Sequence, residues 1–175
     1  MKFIQKINKG KHFSKPFWRP FRFKPQQFIF TDVSLDYILD EKSDQADINK
    51  LIGIAYAFRE SRYSSKMIGW SYDPSDNEVN FFLYSHIPML RNESNPTGVY
   101  KPHLISLKNE RFPKIIITFN ERTVCMDIHT NDGRIFRAEA GYAQPLFKGP
   151  YRMIFPYFGG NQRAPRKFKF TFYMK

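Results

Sequence analysis

Reaction chemistry at neutral pH needs particular side chains in particular spacings. Nucleophilic catalysis needs a Ser or Cys beside a base. Ser61, Ser64 and Ser65 lie together in RESRYSSK with no His nearby in sequence, and there is no G-x-S-x-G turn. The single cysteine, Cys125, sits in the apolar run TVCMDIH and reads as a buried, inert thiol. With one cysteine no intrachain disulfide forms, so the fold does not depend on an oxidising compartment. His12, His86, His103 and His129 are scattered, and none has a partner at ligand spacing. His86 and His129 fall at expected strand ends and read as solvated or hydrogen-bonded histidines. Asp73, Asp76 and Glu78 resemble a ligand set, but DPSDNE lacks the calcium-loop spacing and reads as a turn. Glycoside hydrolysis needs two carboxylates at a set separation, and no E-x-D-x-x-E run supplies them. These residues predict a non-enzymatic protein with no metal and no cofactor.

Charge is the stronger signal. The formal net charge is +12, and it is segregated. Residues 1–31 carry eight Lys or Arg and no acid, and residues 140–175 carry seven and no acid. All sixteen acids fall between 32 and 139. Such asymmetry predicts contact with an acidic surface: nucleic acid, anionic lipid or an acidic protein. The stretch KGKHFSKPFWRPFRFKP interleaves Lys9, Lys11, Lys15, Arg19, Arg22 and Lys24 with Phe13, Phe17, Trp18, Phe21 and Phe23. Pro16, Pro20 and Pro25 break any long pairing. Residues 1–25 therefore read as an extended basic arm that becomes ordered on a surface, either its own domain or a neighbouring subunit. A chain without them is expected to keep its fold. Aromatics among cations also suit nucleic acid, which remains an alternative partner.

The elements behind these residues read as strands. Nineteen Phe, ten Tyr and two Trp favour pleated, half-buried surfaces. About nine short apolar runs follow the arm, separated by Asn/Asp/Gly/Pro turns. They cover 27–35, 51–58, 66–72, 79–86, 114–119, 123–129, 134–139, 151–155 and 167–173. Asn131-Asp132-Gly133 between two alternating runs predicts a hairpin. In the last run Phe168, Phe170 and Phe172 alternate with Lys167, Lys169, Thr171 and Tyr173, which predicts three rings inward and two lysines outward. The expected fold is all-β, a jelly-roll or concanavalin-like sandwich over residues 26–175. No apolar run is long enough to span a membrane as a helix, and MKFIQKINKGK has no secretory apolar core.

Four blocks carry a resemblance: INKGKHFS (7–14), DQADINKLIGIAYAF (44–58), SSKMIGWSYDPSDNEVNFFLYSH (64–86) and YRMIFPYFGGNQRAP (151–165). Together they resemble a group of concanavalin-like or jelly-roll β-sandwich proteins of tailed phages of gut bacteria, including crAss-like phages. The chain departs from that group at RESRYSSK, where a histidine-rich stretch is usual, and at RKFKF after the final Ala-Pro. Both departures add positive charge. The resemblance implies a structural protein of the virion, assembled in the host cytoplasm. It would be a capsid accessory, decoration or head-fibre protein whose partners are other virion proteins, such as the major capsid protein, and further copies of itself. It also implies a lectin-like alternative, for which Tyr157, Phe158 and Asn161 are the candidate glycan-binding residues.

Overall fold

The computed structural model describes residues 1–12, 21–22, 26–39, 45, 47–56, 65–87, 90–95, 98–142, 150–159 and 163–175. Two antiparallel sheets are built from them. The first runs, in spatial order, β1 (Lys2–Ile7), β13 (Phe168–Met174), β3 (Gln26–Val33), β9 (Phe112–Phe119), β10 (Thr123–His129) and β11 (Ile135–Gly141). The second runs β2 (Phe21–Arg22), β12 (Pro150–Ile154), β4 (Asn49–Tyr56), β5 (Ser65–Asp73), β6 (Glu78–His86) and β7 (Val99–Tyr100), with β8 (His103–Lys108) also pairing with β6. Among the described residues no helix is long and apolar enough to cross a membrane.

Both sheets contribute to one apolar core, which makes the fold sandwich-like. Period-2 alternation dictates which side chains enter it. Phe168, Phe170 and Phe172 are buried while Lys167 and Lys169 are exposed, as the alternation of the last run predicts. Trp70 of β5 meets Phe168 and Phe170 edge-on, at centroid separations of 6.2 and 5.9 Å. Its indole Nε1 donates to the Leu35 carbonyl at 3.1 Å, so the ring is buried without an orphaned donor. Phe172 sits among Phe3, Phe28, Phe30 and Phe155.

Three of the blocks quoted above meet at one joint. Lys50 bridges Tyr157 through backbone hydrogen bonds of 2.9 Å in both directions. The Asn49 side chain accepts from the Gly159 amide at 2.8 Å. Lys50 lies opposite Gly69, and a Cβ at Gly69 would fall 2.4 Å from Ile48 Cγ2 and 2.8 Å from the Asn49 carbonyl. Glycine fits there because any side chain would strike Ile48 and the Asn49 backbone of the neighbouring strand. The fourth block joins through the Phe158 amide, which donates to the His12 carbonyl at 2.8 Å.

The structure changes the expectation for the N-terminus. Residues 2–7 form the outer strand of the first sheet, with Phe3 and Ile7 in the core. In KFIQKI, Phe3, Gln5 and Ile7 alternate with the exposed Lys2, Ile4 and Lys6, so one face of the strand enters the core while the other faces solvent. Phe21 and Arg22 pair with Tyr151 and Pro150. Residues 13–20 and 23–25 lie outside the described residues. Strand β8 was also unanticipated, since HLISLK has no bounding glycine and only weak alternation.

Candidate functional site

The pairing of β1 with β13, and of β13 with β3, brings the two acid-free ends of the chain side by side. On the outer face of the first sheet Lys6 lies directly opposite Lys169, and Lys2 opposite Tyr173, over whose ring its ammonium sits at 5.9 Å. Directly opposed side chains in an antiparallel pair have Cβ atoms about 5 Å apart, so two lysines there repel. Lys167 and Lys175 flank them, both exposed. Elsewhere several carboxylates have cation partners: Glu78 with Lys108, Asp36 with Arg166, Asp127 with Arg137 and Asp132 with Arg134. No such pair forms at Lys2, Lys6, Lys167 or Lys169 among the described residues.

Beside this patch is a polar groove of about 250 Å³ lined by Lys2, Thr31, Asp32, Arg111, Lys169, Thr171 and Tyr173. Asp32 projects there from a left-handed backbone, φ 58°, inside β3. That conformation is rare for a non-glycine residue and tolerated by Asp. Its carboxylate is held in a two-pronged pair by the Arg111 guanidinium. The hydrogen bond from Arg111 keeps the Asp32 carboxyl below its ordinary pKa, with charge from Arg111 and Lys169 adding to it.

The outer face of the second sheet carries a different chemistry. Lys50 is buried, with its Nζ 4.0 Å from the Tyr84 ring centroid and 5.1 Å from that of Tyr157, and it donates to the Ile48 carbonyl at 2.5 Å. Burial pushes its pKa down to about 8. His86 is pushed down to about 4 by burial, aided by the charges of Lys50 and Arg91. Further along, His103 Nε2 lies 2.8 Å from Ser106 Oγ, which donates to Asn80 Oδ1 at 2.5 Å.

The sequence-derived candidates divide as follows. Lys9 and Lys11 are exposed, on a segment hydrogen-bonded to Ala164. Phe21 and Arg22 are strand residues; Phe13, Lys15, Phe17, Trp18, Arg19, Phe23 and Lys24 lie outside the described residues, as does Asn161. Tyr157 is half-buried against Lys50. Phe158 is buried, edge-on to Tyr37 at 4.9 Å and tilted against Phe168 at 5.6 Å, so it serves the core and offers no ring face to a glycan. Ser65, read as having no histidine nearby, hydrogen-bonds His86 Nδ1 at 2.8 Å, although it is buried. The histidine stands across the β5–β6 pair, 21 positions away, which local spacing cannot show. Cys125 is half-buried rather than buried, and burial together with Glu139 raises its pKa. Asp73 caps the turn after β5, accepting from the Ser75 amide at 2.9 Å. Among the described residues no three His, Cys, Asp or Glu side chains cluster as metal ligands would. Lys2, Lys6, Asp32 and Arg111 were missed as a group. The available signal was Lys2, Ile4 and Lys6 at period 2, which marks one strand face. No family model matches the chain, and comparison with the curated proteins found no match.

Proposed function

We propose that this protein is a non-enzymatic structural component of a tailed-phage particle, a jelly-roll or concanavalin-like sandwich that docks on an acidic protein surface. One observation carries the reading: β1–β13–β3 pairing gathers the acid-free ends onto one sheet face and sets Lys6 against Lys169 with no carboxylate between them. A fold that tolerates that repulsion gains when an anionic partner covers it. The resemblance of the four blocks supplies the virion context. Their meeting at the Asn49–Gly69–Gly159 joint supports a role for them in making the fold rather than in holding a ligand. Mass spectrometry of purified particles tests the reading. Hundreds of copies per particle mean shell decoration, a dozen or so mean a tail or portal ring, and absence overturns it.

A lectin-like role is the second reading. The Asn80–Ser106–His103 chain, with Phe82 edge-on to His103 at 5.5 Å, puts polar groups and a ring on one outer face. A glycan array hit that Asn80→Ala and Phe82→Ala both abolish would move this reading to first place.

A further inference from the structure

We infer that the open edge of β1 is a docking site for an extended acidic segment of a partner protein, added as a further strand. The inference rests on the proposed acidic partner and specifies how that partner is gripped. β1 ends the first sheet, and among the described residues no strand pairs with its far side. Met1 and Met174 exchange both backbone hydrogen bonds, each 2.9 Å. Hydrogen-bonded and non-hydrogen-bonded pairs alternate along an antiparallel ladder. The N–H and C=O groups of Lys2, Ile4 and Lys6 therefore point away from β13, toward the open edge. The side chains of these three residues are also the exposed ones of the strand, Ile4 at 53%.

An added strand would present alternate side chains beside Lys2, Ile4 and Lys6. The complementary pattern is acid-x-apolar-x-acid. One carboxylate would lie beside Lys6, on the side of β1 away from Lys169, and its charge would offset part of the repulsion between the two lysines. The other would lie beside Lys2, at the rim of the groove that Lys2 lines. Lysines on an edge strand also deter stray pairing. A second copy of this chain fits poorly, because antiparallel self-pairing about Ile4 sets Lys2 against Lys6. Nucleic acid has no backbone amides to match the ladder.

Fluorescence anisotropy with the full-length protein tests this. The probe is a labelled nine-residue peptide with Glu at its third and seventh positions, Val at its fifth, and Thr or Ser elsewhere. Its partners are a peptide of the same composition with the two Glu adjacent, the patterned peptide N-methylated at Val, and a single-stranded oligonucleotide. The patterned peptide is expected to bind about fivefold or more tighter than the rearranged one, the equivalent of one good cross-strand pair. N-methylation should remove most of that advantage. Lys6→Glu should weaken the acidic peptide and favour a Lys-bearing version, with the thermal midpoint no lower than that of the wild type, because Lys6 is exposed and a glutamate opposite Lys169 removes a like-charge pair. Equal binding of the two arrangements, indifference to N-methylation, or tighter binding of the oligonucleotide overturns the inference. Presence in purified particles with no discrimination between the peptides sinks this inference alone; absence from particles sinks the broader reading alone.

Discussion

Lys50 and His86 are titratable groups that burial pushes toward neutrality, one to about 8 and the other to about 4. The folded state holds the Lys50 proton less tightly than the unfolded chain does. Stability therefore rises with pH between about 8 and the ordinary lysine value of 10.5. The same sign applies to His86: its contribution is complete above 6.5 and is lost as pH falls toward about 4. Lys50→Met keeps the stem length and removes the charge. It should raise the urea midpoint at pH 7 and flatten the rise between pH 8 and 10.5, both read by tryptophan fluorescence. An unchanged pH profile would mean that Lys50 is hydrated rather than buried. Asp32 is the opposite case, since Arg111 stabilises its charged form, and that contribution fades as pH falls below the ordinary carboxylate range.

Strand β13 lies at the centre of the core and strand β1 at its margin, and they should respond differently to damage. Phe170 packs against Trp70 and is fully enclosed, so Phe170→Ala should cost about 3–5 kcal/mol in urea denaturation. Gly69→Ala should also be severe, because the nearest atoms include the Asn49 backbone carbonyl, which cannot rotate away. Strand β1 contributes Phe3 and Ile7 to the core, so its removal should cost stability. Deleting residues 1–7 removes two buried side chains, Phe3 and Ile7, worth roughly 1.5–3 kcal/mol each. It also uncovers the Phe172 ring that Phe3 stacks on at 5.1 Å. The deleted chain should show a clearly lower denaturation midpoint, and a midpoint equal to wild type would show that β1 adds nothing to the core.

Across the whole molecule, charge is distributed by topology. The ends of the chain are far apart in sequence and adjacent in the first sheet, so two separate basic segments become one basic face. Attraction from such a face is screened over about 8–10 Å at 0.1–0.15 M salt, so binding to an acidic particle surface should weaken steeply as salt rises. Lys6→Glu combined with Lys169→Glu should weaken it at low salt and leave the midpoint of unfolding intact, since both side chains are exposed. Co-sedimentation with particles across a salt series reads both effects. Salt-independent binding would show that apolar contacts, not the lysines, hold the protein in place.

The sequence by itself determined the strands whose signal is local. Phe168, Phe170 and Phe172 declare their inward face by alternation, and Asn131-Asp132-Gly133 declares a hairpin by its turn chemistry, with Gly133 at φ 84°. Composition likewise showed that positive charge is concentrated at the two ends. Only the tertiary structure decided what those ends do. The place of Lys2–Ile7 depends on a partner strand more than 160 residues away, and no local pattern reports a long-range pairing. The Ser65–His86 contact, the burial of Phe158 and the opposition of Lys6 to Lys169 have the same origin. Each is set by the register between strands, and register is fixed by how the whole core packs.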